Sequence, residues 1–140
     1  MAVNYNYETD FVLSNERVYS NWINRVLLSE GFRARELAYI FCDDKYLLEI
    51  NHKFLGHDTL TDIITFDYCD GRMVSGDVFI SIERVRENAG TFRVQFENEL
   101  LRVMAHGVLH LMGYGDKSEG EVRKMRRKEE EKIKLFHVEH

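Results

Sequence analysis

The sequence predicts one domain over residues 1–140, of the α/β (α+β) class, in which about five helices pack on a four-stranded mixed sheet. First, segments with strand-like and helix-like hydrophobic periods follow one another in the order β-α-β-α-β-β-α-α-α. Second, 140 residues fit a single domain and suffice for a hydrophobic core. Third, apolar residues make up 44% of the chain, which is usual for a globular domain, and there is no low-complexity tract.

The chain is expected to begin with a strand and a helix. Residues 3–8 alternate apolar or aromatic with polar side chains, which is the period of a half-buried strand. Residues 15–30 carry apolar side chains at helical spacing, with Ser14 placed to cap the helix and Gly31 to end it. Trp22 lies on this apolar stripe, so we assign it to the core rather than to a binding surface.

A central strand and a second helix are predicted next. Residues 36–42 are apolar and rich in strand formers, and residues 44–54 follow as a helix capped by Asp43 and Asp44. The side chains expected to face inward are Tyr46, Leu47, Ile50 and Phe54. Because another strand begins at Ile63, the strand–helix–strand order favours a parallel pair between it and residues 36–42.

A hairpin is predicted at the edge of the sheet. The Asp70-Gly71 dipeptide is typical of a tight turn. The segments on either side of it, residues 63–68 and 74–80, are therefore expected to be antiparallel neighbours.

Three helices are expected to complete the chain, at residues 82–88, 92–112 and 119–136. Ser118 and Glu121 have the spacing of a capping box at the start of the last one. Its expected inward side chains are Val122, Met125, Ile133 and Phe136. The many charges of this helix are typical of a solvated face, and the alternative is a cationic wall that attracts phosphates.

A candidate metal site lies at the C-terminal end of the predicted helix 92–112. His106 and His110 are four residues apart, so a helix places both imidazoles on one face. Gly113 can end the helix at positive φ, and the chain can then turn back to bring Asp116 against the imidazoles. Two nitrogen ligands and one oxygen ligand with a free fourth position are expected of a catalytic zinc site. We also expect burial to keep these imidazoles neutral, which is the form that binds metal.

The motif differs from the zinc-peptidase pattern H-E-x-x-H. Gly107 stands where those enzymes have their general base. Water at the site must then be activated by the metal alone or by a group elsewhere in the chain. A zinc peptidase-like hydrolase therefore remains only an alternative.

The segment His106-Gly-Val-Leu-His110-Leu-Met-Gly113-Tyr-Gly-Asp116 resembles the signature of the YbeY family of bacterial rRNA-maturation factors. Asp116 occupies the position of the third ligand, which is usually a histidine in that family. A second stretch also has the family's spacing, at Asn51, Phe54, Asp58, Thr61, Asp62 and Phe66. Leu55 stands at the family's arginine position and Thr65 at its serine position.

The resemblance implies a function. It implies a zinc-dependent endoribonuclease, specific for single-stranded RNA, that acts in maturation of the small-subunit rRNA 3′ end and in ribosome quality control. The implied partners are the small ribosomal subunit and its assembly factors. The implied ligands are His106, His110 and Asp116, holding one Zn²⁺ per chain, with another divalent metal as the alternative. A non-catalytic assembly factor with a structural metal remains a further alternative.

The missing arginine leaves the partner of the scissile phosphate open. A guanidinium is well suited to bind phosphate, and Leu55 cannot replace it. We therefore predict that His57, as a catalytic cation or proton donor, or else Lys53, takes this role.

Charge and composition exclude several classes of function. A net charge of −5 argues against bulk electrostatic coating of nucleic acid. The chain shows no secretory signal pattern and no apolar run long enough to span a bilayer, so no membrane association is expected. Its two cysteines, Cys42 and Cys69, have no metal-site spacing and are expected to be free thiols. These features favour a cytoplasmic location.

Overall fold

The computed structural model describes residues 2–138 and confirms the predicted order of elements. The first elements are β1 (Val3–Tyr7), α1 (Glu16–Ser29), β2 (Arg33–Cys42) and α2 (Asp44–Leu55). The hairpin β3 (Ile63–Asp67) and β4 (Met73–Ser81) follows, and then α3 (Ile82–Phe92), α4 (Phe96–Leu111) and α5 (Glu119–Val138). None of these helices is long and apolar enough to cross a membrane.

The sheet has the strand order β1-β2-β4-β3. β1, β2 and β4 are parallel, and β3 is antiparallel to β4 at the edge, so the predicted mixed sheet and its edge hairpin are confirmed. The expected parallel pairing of β2 with β3 is wrong, because β4 lies between them. The burial of the strands explains this order. Val74, Val78 and Ile80 of β4 are fully buried, as a central strand requires, whereas most side chains of β3 are partly exposed.

The core lies between the sheet and the layer formed by α1, α4 and α5, and α2 covers part of the other face. Trp22 is fully buried, and its indole Nε1 donates to the Lys132 carbonyl at 2.7 Å, which confirms its assignment to the core. The hydroxyl of Tyr39 donates to the Met104 carbonyl at 2.9 Å and joins β2 to α4.

Some helix ends differ from the prediction. α1 is capped by Asn15, whose side chain accepts from the Val18 amide, and not by Ser14. α3 continues to Phe92 and ends at Arg93, which has a φ of 58°. The break that this left-handed residue introduces delays the start of α4, so the expected helix 92–112 is shorter than predicted.

Two inward-facing side chains were predicted wrongly. Phe54 is 57% exposed because it lies at the end of α2, where its ring reaches only the edge of Phe66, 5.8 Å away between ring centroids. Val122 is 43% exposed, whereas Met125, Ile133 and Phe136 are buried as predicted. The helix α5 is also not simply a solvated face, since it buries Glu129 and Lys132.

Candidate active site

The two motif histidines lie on the last turns of α4. His106 is half-buried and His110 is exposed, and both line one cavity beside the start of β3. α4 is almost wholly apolar on its other side, where Leu101, Met104, Ala105, Val108 and Leu109 are fully buried. This packing gives the histidines a rigid platform.

Gly107, between the two histidines, faces the sheet. A Cβ atom built on it would lie 2.8 Å from Cγ1 of Val78 and 3.2 Å from Cδ1 of Ile63. The glycine therefore lets α4 approach β3 and β4 closely. No side chain at this position would reach the cavity, so a general base at the position after the first histidine is excluded by packing.

The loop after α4 brings Asp116 back to the histidines. Gly113 has a φ of 105°, as predicted for the helix end, and the Tyr114 amide donates to the Leu109 carbonyl at 3.0 Å. The Tyr114 hydroxyl donates to Oε1 of Glu30 at 2.7 Å, which anchors the loop to the end of α1. Oδ2 of Asp116 then lies 3.3 Å from Nε2 of His106.

Glu129 of α5 holds the opposite side of the His106 ring. Its Oε2 lies 2.7 Å from Nδ1 of His106, and its Oε1 accepts from Arg102 at 3.2 Å. Because a carboxylate only accepts hydrogen bonds, Nδ1 carries the hydrogen and Nε2 faces Asp116. Sequence reasoning missed Glu129, which is 5% exposed. Its spacing in the sequence could have indicated that it faces inward, since Glu129 lies four residues from both Met125 and Ile133 on the buried side of α5.

The surroundings of His106 favour its protonated form when no metal is bound. Burial alone would lower the pKa of this imidazole. The hydrogen bond to Glu129 and the charges of Glu129, Asp116 and Asp62 outweigh burial, and the pKa is raised above its ordinary value. The expected effect of burial, which favours the neutral imidazole, is therefore outweighed in the metal-free protein by the three carboxylates around it.

The cavity beside the histidines has a volume of about 270 Å³. Its lining residues are Thr61, Asp62, Ile63, Thr65, His106, His110 and Asp116. Asp62 has a pKa raised chiefly by burial, so this carboxyl holds a proton more readily than an exposed aspartate. Thr61 and Asp62 of the second stretch singled out in the sequence thus line the same cavity as the histidines.

The types of ligand atom in this cavity fit a divalent metal, but the positions of these atoms fit one only in part. Nε2 of His106 and the carboxylate of Asp116 are adjacent, and the carboxylate of Glu129 orients the imidazole as is usual behind metal-bound histidines. His110 lines the same cavity. Within residues 2–138, no three histidine, cysteine, aspartate or glutamate side chains converge as a bound ion would require.

His57 and Lys53 lie away from this cavity. His57 is exposed in the loop after α2, where its amide donates to the Asn51 carbonyl at 3.2 Å, and it does not line the cavity. The Lys53 ammonium is 5.3 Å from the ring centroid of its neighbour Phe54. Arg102 of α4 and Arg126 of α5 line cavities with His106. Arg126 is one of the charges for which a cationic wall was the alternative, whereas sequence reasoning did not assign Arg102 to the site.

The sequence profile of the family described as endoribonuclease YbeY matches residues 4–137. The chain belongs to this family. The resemblance seen in its two motif stretches is thus confirmed over nearly the whole chain, including the N-terminal elements where no resemblance was noted.

Relatives in the YbeY family match nearly the whole chain. A protein of Flavobacterium psychrophilum named Endoribonuclease YbeY is 59% identical over 136 residues, which is 97% of each chain. One of Flavobacterium johnsoniae with the same name is 56% identical over 98% of this chain and 99% of its own. A solution structure of a Thermotoga maritima protein is 25% identical, with a TM-score of 0.69 over 98% of this chain and 90% of that one.

Proposed function

We propose that this chain is an endoribonuclease that cleaves single-stranded RNA in the maturation of the small-subunit rRNA 3′ end and in ribosome quality control. Family membership supports the reaction class. The structural observation that carries the proposal is the cavity in which His106, His110 and Asp116 meet the polar wall of Thr61 and Asp62. The small ribosomal subunit and its assembly factors are the partners proposed with this function, and the cytoplasm is the proposed location.

We further infer that the enzyme uses one divalent metal, zinc in the first instance, held by His106, His110 and Asp116. Such an ion supplies Lewis acidity, which polarises a phosphate and makes nearby water more acidic. Imidazole nitrogens and a carboxylate oxygen are ligands that zinc prefers. The neighbouring contact of Glu129 with His106 supports the same assignment.

The chain's own side chains have definable tasks in this reaction. Glu129 keeps the hydrogen of His106 on Nδ1, so that the Nε2 lone pair points to the cavity. Asp62 is the carboxyl placed to accept or release a proton, because it lines the cavity and burial raises its pKa above the ordinary value. Asp62→Asn is expected to lower the cleavage rate by roughly 10²-fold or more.

Arg126 is the cation best placed to bind the scissile phosphate. It lines a cavity together with His106 and Asp116. Arg102 is less available, since Glu129 and Glu99 already pair with it. Arg126 thus takes the role first assigned to His57 or Lys53. Arg126→Ala should slow cleavage strongly, whereas the matched controls Arg127→Ala, His57→Ala and Lys53→Ala should change it little.

The proposal is tested by metal content and RNA cleavage in the same preparations. The wild type should contain about one zinc per chain and cleave single-stranded RNA in preference to a duplex of the same sequence. Asp116→Ala should lose both properties, and Lys117→Ala, which changes the adjacent exposed residue, should retain them.

Other outcomes would favour the alternative functions. Cleavage of casein but not of RNA would show a peptidase-like hydrolase. Metal that is required for folding, without hydrolysis of either substrate, would show an assembly factor with a structural metal. Zinc fully retained in Asp116→Ala would overturn the assignment of the third ligand.

A further inference from the structure

A second cavity adjoins the proposed active site. It has a volume of about 190 Å³ and shares Asp62, Ile63 and His106 with the first. Its other lining residues come from three helices: Asn88 and Phe92 of α3, Glu99, Arg102 and Val103 of α4, and Arg126 and Glu129 of α5. Pockets for drug-sized ligands measure about 300–1,000 Å³, so this cavity suits a single ring system.

Glu99 presents an unused hydrogen-bond acceptor in this cavity. The residue is only 3% exposed, and its buried Oε1 has no hydrogen-bond partner. Nε of Arg102 forms an ion pair with this oxygen at 3.6 Å, which is beyond hydrogen-bond distance. Because an unsatisfied buried carboxylate oxygen is costly, its presence beside a cavity points to a ligand that donates to it.

The charges of the cavity exclude a phosphate as that ligand. Three carboxylates, those of Asp62, Glu99 and Glu129, face two arginines, and Arg102 is already paired with Glu129 at 3.2 Å. A neutral group with N–H donors fits this surface better than an anion does.

Phe92 adds a stacking surface at this cavity. It is the last residue of α3, and it is 54% exposed. Proteins that bind single-stranded RNA stack unpaired bases on such aromatic rings and hydrogen-bond their polar edges. An aromatic ring, a free acceptor and the volume of one ring system together match a nucleobase.

We infer that this cavity receives the base next to the cleaved bond and that Glu99 selects bases with an exocyclic amino group, namely adenine, cytosine or guanine, over uracil. The inference rests on the proposed endoribonuclease function. Amino groups donate to the carboxylate oxygen, whereas the one pairing-edge donor of uracil, N3–H, stands between two carbonyl oxygens that the carboxylate repels. Glu99 would then determine specificity without taking part in the chemistry.

The test determines which bases flank the bonds that the enzyme cleaves. RNA with a randomised single-stranded region is cut by the zinc-loaded enzyme, and the product ends are sequenced. The wild type should show about tenfold depletion of uracil at one flanking position. Glu99→Gln should remove this bias, because its amide can also donate to the carbonyls of uracil. Glu87→Gln, an exposed residue of α3 outside the cavity, should keep the bias.

Phe92→Ala provides a second variant, chosen because the Phe92 side chain is exposed and its loss leaves the core intact. It should weaken binding of RNA hexanucleotides of A, C or U by roughly tenfold each. Binding is measured by fluorescence anisotropy with a chelator present, so that no cleavage occurs. In the same assay the wild type should bind the A and C hexanucleotides more tightly than the U hexanucleotide, and Glu99→Gln should bind all three alike.

The outcomes distinguish a failure of the inferred base-binding site from a failure of the proposed endoribonuclease function. An equal loss of cleavage at all bases in Glu99→Gln, with the uracil bias retained, would show that Glu99 is only structural. No bias in the wild type would overturn the inference while leaving the endoribonuclease intact. Base-selective binding without any RNA cleavage would overturn the proposed function and leave the base site standing.

Discussion

Oε2 of Glu129 lies 2.7 Å from Nδ1 of His106 and joins α5 to the motif helix α4 at the centre of the proposed active site. The contact fixes which imidazole nitrogen faces Asp116. The contact also gives the buried Glu129 carboxylate of α5, a helix with many charged residues, a hydrogen-bond partner.

Glu129→Gln is expected to weaken zinc binding by about 10- to 100-fold, because the imidazole loses the partner that orients it and makes it more basic. Competition with a chromophoric chelator measures this change. Glu130→Gln alters the adjacent exposed residue and should leave the affinity unchanged. Equal affinities for the two variants would show that Glu129 does not act on the metal site.

The metal-free protein should show a pKa of His106 above 6.5, measured by NMR titration. The charged imidazole is stabilised by Glu129, so its contribution to stability is complete below the unfolded pKa and is lost as pH rises through the raised folded value. Glu129→Gln should lower the pKa of His106. Because a metal must displace this proton, zinc affinity should fall as pH falls through the same pKa. A pKa of His106 below 6.5 in the wild type would contradict the prediction.

Tyr114→Phe should destabilise the protein by about 1–2 kcal/mol, because Glu30 loses a hydrogen bond in a partly buried network. The loop that carries Asp116 should loosen at the same time and zinc affinity should fall. Tyr68→Phe is the matched control, since Tyr68 is exposed. Denaturant unfolding gives the free energies, and an equal effect of both variants would exclude a special role for the Tyr114 hydroxyl.

Glu30 should contribute to stability against acid. Burial alone would raise the pKa of this carboxyl, but hydrogen bonds from Lys132, Tyr114 and Lys128 outweigh burial and lower it to about 2. A lowered folded pKa gives stability that is present above the unfolded value and lost as pH falls toward the folded one. The wild type should therefore lose stability between about pH 4.5 and 2, and Glu30→Gln should lose less over this range. Parallel pH profiles of the two proteins would refute the assignment.

Gly107→Ala should destabilise the fold by about 1–3 kcal/mol, because the new methyl group would push α4 away from Val78 and Ile63. Gly120→Ala is the control, since a Cβ there meets no atom within 4 Å and alanine favours the first turn of α5. Thermal unfolding measures both. If Gly107→Ala is as stable as the wild type, α4 does not pack against Val78 and Ile63 closely enough to exclude a methyl group.

Local sequence signals were sufficient for most of the fold. Period-two and helical patterns gave every strand and helix in the right order, and caps such as Asp43 and Ser118 marked helix starts correctly. The place of β4 between β2 and β3 was missed, because strand order depends on which strand buries both faces. The exposure of Phe54 was missed for a similar reason, since helical spacing does not reveal how far a sheet extends beneath a helix.

The sequence by itself determined the family, the pairing of His106 and His110 on one helix face, and the return of the chain at Gly113. These features depend on spacing of a few residues and on backbone geometry, which are local properties. Only the tertiary structure decided that Glu129 and Arg126 of α5 lie beside His106, that His57 lies outside the cavity, and that Glu99 borders a second one. Those relationships join residues far apart in the chain, and packing of whole helices against the sheet determines them.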